Sequence, residues 1–132
     1  MSDNIKLSVT LPVEPKVIYQ AWFDREKHSA FSKGKATIQK KVGNKFTALD
    51  GFVEGEIKQM VLSKKIIMDW RTTEFPEESE TSIVTINFED LKGSTKLIVV
   101  HENLPEGEGK KYRKEWKDNY FTPMKAFFKV EE

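Results

Sequence analysis

The side chains with the clearest capacity for chemistry in this sequence are its two histidines, His28 and His101. Neither has a second histidine at metal-ligand spacing, so we expect no imidazole-based metal site. Glu102 follows His101 directly, but neighbouring residues on a strand point to opposite faces and would not meet at one substrate as an acid and a base. We therefore expect both histidines to be structural or exposed.

Three glutamates, Glu77, Glu78 and Glu80, form the other concentration of ligating groups. They lie in a predicted loop, where they would mostly keep the chain solvated, although hard cations also prefer carboxylate oxygens. The sequence has no cysteine, which excludes disulfides, thiolate catalysis and Cys-based zinc sites and fits a reducing compartment. Because no acid, base and nucleophile converge, we expect no enzyme, no metal and no cofactor.

The composition is that of a folded domain with little net charge. Of 132 residues, 38% are hydrophobic and 33% are charged, and the formal net charge is +1. This balance argues against nucleic acid or an acidic membrane as a partner. The sequence shows neither a signal peptide nor an apolar run near the about 20 residues that span a bilayer. We expect a cytoplasmic monomer with one domain over residues 1–132.

Hydrophobic periodicity predicts the elements at the start of the chain. Apolar residues alternate over 5–11, which is typical of a half-buried strand, and Pro12 ends that strand. A short helix follows over 15–23, with a proline in its first turn. Asp24 caps a second short helix, which Gly34 stops.

Six further strands joined by short links favour an antiparallel meander. They are predicted over 36–41, 45–49, 52–61, 66–74, 81–89 and 95–104. Gly43-Asn44, Asp50-Gly51 and Lys92-Gly93 are turn signals, because these residues accept positive φ at little cost. Gly55 interrupts a strand and predicts a bulge or a sharp bend.

The final segment, 110–130, predicts a long helix with one apolar face. That face consists of Tyr112, Trp116, Tyr120, Met124, Phe127 and Phe128. Pro123 removes a backbone hydrogen bond inside this pattern, so we expect a kink or a break over 119–123. The order of elements indicates an α+β helix-grip fold, in which a curved antiparallel sheet wraps around the long C-terminal helix and two short helices follow the first strand.

A series of short motifs carries a family resemblance. They are Gly43-x-Lys45-Phe46, Asp50-Gly51-x-Val53-x-Gly55-Glu56, Ile67-x-x-Trp70-Arg71, Phe75-Pro76-Glu77 and Trp116-x-x-x-Tyr120-Phe121. In this order and spacing they resemble the C-terminal domain of the eukaryotic activator of the heat-shock protein 90 ATPase. The resemblance implies a START-like co-chaperone domain that binds heat-shock protein 90 and favours its closed, ATP-hydrolysing state.

The sequence departs from the family pattern in two ways. Eukaryotic activators carry an additional N-terminal domain that supplies the main chaperone contact, whereas this sequence begins almost directly with its first strand. We therefore expect an excised domain or a natural single-domain relative, with weaker ATPase stimulation. Pro123 is the second departure, because it lies in a helix that the family pattern would keep continuous.

Basic and aromatic residues are the candidates for contact with a partner, because Trp and Arg are enriched at interface hot spots and lysines steer acidic surfaces. They are Lys33, Lys35, Lys40, Lys41, Trp70, Arg71, Lys110 and Lys111. The alternatives are a core position for Trp70, an ion pair between Arg71 and an acid on a neighbouring strand, and lysines that are merely solvated.

Aromatic residues at core-facing positions support a second hypothesis, a START-like module that binds a small hydrophobic ligand. The predicted cavity residues are Trp22, Phe31, Phe46, Trp116 and Tyr120. The alternative for all five is ordinary core packing.

Overall fold

The computed structural model describes residues 2–128, which form a six-stranded antiparallel sheet against a C-terminal helix. The strands are β1 (Asp3–Leu11), β2 (Lys45–Ala48), β3 (Val53–Val61), β4 (Lys65–Thr72), β5 (Ser82–Asp90) and β6 (Thr95–Leu104). Their order in the sheet is β1-β6-β5-β4-β3-β2, so β1 and β2 form its edges. The architecture confirms the predicted α+β helix-grip class.

The helices share one hydrophobic core with the sheet. They are α1 (Pro15–Trp22), α2 (Arg25–Ala30), α3 (Gly109–Trp116) and α4 (Thr122–Phe127), with a π-helical turn over Lys117–Phe121 between the last two. Asp24 caps α2 as predicted, because its carboxylate accepts a hydrogen bond from a backbone amide three residues on. Val17 and Ala30 are apolar residues at helical spacing that do not reach the core, since Val17 is 47% exposed and Ala30 is also exposed. His28 is instead the buried residue of α2.

The long helix accommodates Pro123 through its π-helical turn. Pro123 has no N–H to donate to the carbonyl of Asn119, four residues earlier. That carbonyl instead accepts a hydrogen bond from the backbone amide of Lys33 at 3.2 Å. The predicted break over 119–123 thus takes the form of one widened turn, and the released carbonyl ties the helix to the segment after α2. The prediction for residues 129 and 130 lies outside the described residues.

The predicted strand over 36–41 is wrong. Only an isolated bridge forms there, in which the backbones of Thr37 and Thr47 exchange hydrogen bonds of 2.9 and 3.0 Å. Ala36 and Ile38 are buried at strand-like spacing, which explains why the pattern resembles a strand. The segment covers the outer edge of β2 without extending the sheet.

The predicted turn residues adopt the expected positive φ angles, with the exception of Asn44. Lys92 and Gly93, with φ of 59° and 99°, close the hairpin between β5 and β6. Gly43 has φ of 89°, but its amide donates to a β3 carbonyl and closes no hairpin with the segment before it.

At Gly55 a Cβ atom would lie 1.9 Å from the carbonyl oxygen of Asp69, so two backbones approach closely there. The ladder between β3 and β4 shifts register shortly afterwards, between residues 57 and 59.

Candidate functional site

His101 is buried and belongs to a directional chain of hydrogen bonds. The indole N–H of Trp116 donates to His101 Nδ1 at 3.0 Å, so the proton of His101 lies on Nε2, which donates to Ser82 Oγ at 2.7 Å. The Ser82 hydroxyl donates to the carbonyl of Trp70. Burial lowers the pKa of His101 to about 3. The histidine is therefore neutral and joins α3 to β5 and β6, which confirms the expected structural role.

His28 makes a second buried link to the long helix. Its Nδ1–H donates to the carbonyl of Trp22 at 2.8 Å, and its Nε2 accepts a hydrogen bond from the hydroxyl of Tyr120 at 2.9 Å. Burial lowers the pKa of His28 to about 4, although the bond to the Trp22 carbonyl opposes this shift. Burial also raises the pKa of Tyr120. Both ring nitrogens are occupied, so His28 fixes α2 against the helix.

Arg71 holds the loop that follows β4. Its guanidinium donates to the carbonyls of Ser79, Pro76 and Glu77 at 2.7, 2.8 and 3.2 Å. It also lies 5.7 Å from the ring centre of Phe75. The alternative for Arg71 was an ion pair with an acid on a neighbouring strand, but its guanidinium instead bonds to three carbonyls of the loop.

The rest of this loop brings no metal site together. Glu77, Glu78 and Glu80 are exposed. Over residues 2–128 no group of three His, Asp or Glu side chains is placed to hold a metal ion. No helix in that range is long and apolar enough to cross a membrane.

Trp70 is a core residue, which corrects its predicted position on a partner surface. Its side chain is 3% exposed. Its ring stacks on Trp116 with centroids 5.0 Å apart and planes at 29°, and the ring centre of Phe46 lies 5.9 Å away. A partner could reach this ring only if the sheet and the helix separated.

The five predicted cavity residues belong to one aromatic cluster, in which Phe46 is linked to the other four through Trp70. Their exposed fractions are 1% for Trp22, 0% for Phe31, 2% for Phe46, 3% for Trp116 and 1% for Tyr120. Tyr120 lies 5.3 Å from Trp22 and 5.0 Å from Trp116, measured between ring centres. The cavity that Trp116 lines has a volume of about 10 Å³, which is about the space that one water molecule needs.

The mouth of the helix grip surrounds this cavity. We define the mouth by Leu49 and Phe52 on the turn after β2, and by Glu115 and Asn119 on the long helix. Leu49 has φ of 52°, a left-handed conformation that costs a leucine about 1–2 kcal/mol. Burial raises the pKa of Glu115, and its Oε2 atom is buried without a hydrogen-bond partner among residues 2–128. Backbone strain and an unsatisfied carboxylate often mark functional sites.

Sequence reasoning missed the mouth residues. The only local signal was Asp50-Gly51, which predicts a turn but not its contacts. The Asp50 carboxylate accepts a hydrogen bond from the backbone amide of Lys35 at 2.8 Å. A Cβ atom on Gly34 would lie 2.6 Å from the Cα of Leu49. The strained turn is therefore held in place by a segment about 15 residues earlier in the chain.

Three of the six predicted lysines lie beside the mouth. The backbone amides of Lys33 and Lys35 bond to the long helix and to the turn after β2, and both side chains are exposed. Lys111 lies one helical turn before Glu115 and forms an ion pair with Glu74 at 2.5 Å. The backbones of Lys33 and Lys35 and the helix that carries Lys111 thus meet at the mouth.

The other three lysines lie elsewhere. Lys40 lies 5.6 Å from the ring centre of Tyr19 on α1, and Lys41 is exposed next to it in the chain. Lys110 is exposed in the first turn of α3. We exclude Lys40 from the mouth because it contacts α1, and Lys41 because it is the next residue in the chain.

A curved antiparallel sheet that grips a long helix, with a mouth at one end of the grip, defines a START-like helix-grip domain. A family model described as Activator of Hsp90 ATPase homolog 1-like protein matches residues 12–129. The chain belongs to this family.

Individual relatives agree with the family match. The human Activator of 90 kDa heat shock protein ATPase homolog 1 is 32% identical over 125 residues, which are 95% of this chain and 37% of the human protein. The chain thus spans a little over a third of that relative. The crystal structure of an HSP90 activator from Plasmodium falciparum has a TM-score of 0.82 at 26% identity, covering 93% of this chain and 94% of that one.

A third relative bears on the fold alone. The solution structure of an Aha1 dimer from Colwellia psychrerythraea has a TM-score of 0.71 at 16% identity, covering 87% of each chain. That protein is described as a dimer, whereas the monomer expected for the present chain stays a prediction.

Proposed function

We propose that this domain binds heat-shock protein 90 and favours the closed state in which the chaperone hydrolyses ATP. The observation that carries the proposal is the family match over residues 12–129. The mouth and the lysines beside it are the contact surface that we favour. Exposed lysines speed the approach of an acidic surface, and a strained turn held by its neighbours is a preformed contact.

The mechanism we propose is a shift of population. The domain can raise ATP turnover only as far as it binds the closed chaperone more tightly than the open one. Its own residues then need not touch the nucleotide, which agrees with a family named for activating another protein's ATPase. The role also predicts a cytosolic location.

The first experiment measures ATP turnover by heat-shock protein 90 with and without the domain, together with the affinity of the two proteins. We expect Lys33→Glu combined with Lys35→Glu to weaken binding by about tenfold, or about 1.4 kcal/mol. Lys92→Glu with Lys96→Glu, at the hairpin between β5 and β6, is the matched control and should leave binding unchanged. No binding at about 50 μM would contradict the proposal.

The alternative, a module for a small hydrophobic ligand, finds less support. Ligand pockets usually measure about 300–1,000 Å³, whereas the cavity at the mouth measures about 10 Å³. A ligand would therefore have to displace packed aromatic rings. Native mass spectrometry of the purified protein tests this alternative, which predicts a bound hydrophobic molecule.

A further inference from the structure

The two edges of the sheet differ in their exposure. The segment that bridges Thr37 to Thr47 covers the outer edge of β2. β1, in contrast, pairs with β6 on one side and has no strand on the other. A free edge offers a row of backbone donors and acceptors to a further strand. The β1 edge is therefore the place where the sheet of this protein can grow.

The direction of the free backbone groups follows from one contact. The guanidinium of Arg113 on α3 donates to the carbonyl of Lys6 at 3.0 Å, so the Lys6 backbone points away from β6. Backbone direction alternates along an antiparallel strand, so the amides and carbonyls of Ser8 and Thr10 point outward as well. Within residues 2–128 the outward amides and carbonyls of Ser8 and Thr10 bond to no other backbone group. Ser8 and Thr10 thus each offer a free backbone donor and acceptor to an added strand.

An open groove of about 620 Å³ runs beside this edge, between β1 and the long helix. Arg113, Lys117 and Lys125 line its helical wall, with Phe121 between the last two. All three cations line the same groove, so they form a row of positive charge along its helical wall. No Asp or Glu among the described residues lines it. The charge of the groove is therefore positive, and it is complementary to an acidic ligand.

We propose that this groove binds an extended acidic peptide segment of a partner protein, which adds as a strand to the free edge of β1. Backbone hydrogen bonds to Ser8 and Thr10 would supply affinity, as in other cases of strand addition. Side chains of a strand alternate between its two faces, so every second residue of the peptide faces the helix. Acidic residues at those positions would meet Lys117 and Lys125. This proposal goes beyond the chaperone role and does not depend on it.

A synthetic peptide of about eight residues that alternates Glu with Val or Thr tests the proposal. We expect fluorescence anisotropy to show binding that weakens as salt is added, because exposed charges are screened. N-methylation of alternate amides of the peptide keeps its charge but blocks strand pairing, and should weaken binding by about tenfold or more. Amide NMR shifts should concentrate on residues 6–10 of the protein.

Paired charge reversals provide the second arm of the test. Lys117→Glu with Lys125→Glu should weaken peptide binding by about tenfold or more, since both cations line the groove. Lys16→Glu with Lys64→Glu is the control, because both of these exposed lysines lie in a different surface depression. Thermal unfolding of each variant shows that it remains folded.

Four outcomes would overturn the proposal. They are equal binding of the N-methylated peptide, equal losses in the two charge-reversed proteins, amide shifts away from β1, and self-association through β1 in place of peptide binding. The last would mean that the edge serves a second copy of this chain.

Discussion

At the scale of single residues, the two buried histidines couple the stability of this domain to pH. The pKa of His101 falls to about 3 and that of His28 to about 4. Histidine in the unfolded chain titrates near pH 6.5. Between that pH and the folded pKa values, the folded state therefore binds fewer protons than the unfolded chain. Below about pH 6.5 the free energy of unfolding therefore falls as pH falls, by up to about 1.4 kcal/mol per pH unit for each histidine until its folded pKa is reached.

We predict that His101→Gln removes about half of this pH dependence, because glutamine does not titrate. The variant should also lose about 1–3 kcal/mol of stability near neutral pH, since the hydrogen bonds to Trp116 and Ser82 are disturbed. Urea unfolding followed by tryptophan fluorescence between about pH 4 and 7 measures both effects. An unchanged slope would show that His101 is not neutral in the folded protein.

Glu115 makes the stability of the domain depend on pH in the opposite direction. Burial raises its pKa, so the folded state binds more protons than the unfolded chain above the ordinary glutamate range, and stability falls as pH rises through that window. We predict that Glu115→Gln raises the melting temperature near neutral pH and that this gain disappears in acid. Glu102→Gln is the control, because Glu102 is exposed. Equal effects of the two substitutions would contradict the prediction.

At the scale of elements, the pairing of β3 with β4 depends on Gly55. An added Cβ would lie 1.9 Å from the oxygen and 2.8 Å from the carbon of the Asp69 carbonyl, and backbone atoms cannot move aside as a flexible side chain can. We predict that Gly55→Ala costs more than about 3 kcal/mol or prevents folding.

The control for this substitution is Gly93→Ala. Gly93 has φ of 99° and open space around it, so alanine meets no clash there and the variant should cost about 1–2 kcal/mol of backbone strain. Soluble expression and thermal unfolding separate the two. If both variants were equally stable, the close approach at Gly55 would not exist.

At the scale of the whole molecule, the long helix is the common partner of the sheet and of the short helices. His101 joins it to β5 and β6, and His28 joins it to α2. We predict that Tyr120→Phe, which leaves His28 Nε2 without its donor, destabilises the protein by about 1–3 kcal/mol. Circular dichroism and tryptophan fluorescence should still report one transition, because these elements share one core. Two separate transitions would show that the helix leaves the sheet independently.

The sequence by itself determined most of the local structure. The alternation over 5–11, the cap at Asp24, the turn at Lys92-Gly93 and the apolar face of the last helix are all signals within a few residues. These signals also sufficed for the order of elements, and hence for the helix-grip class and the family resemblance. They failed over 36–41, because burial alternates there as in a strand although only one bridge forms.

Only the tertiary structure decided which residues face a partner. Trp70 is buried because it stacks on Trp116, which lies 46 residues away in the sequence. The mouth and the β1 groove each combine a strand or a turn with the distant C-terminal helix. Periodicity reports which side of an element is apolar, but it does not report which other element covers that side. For this reason the sequence determined the fold and the family, and contacts between distant segments decided the surface.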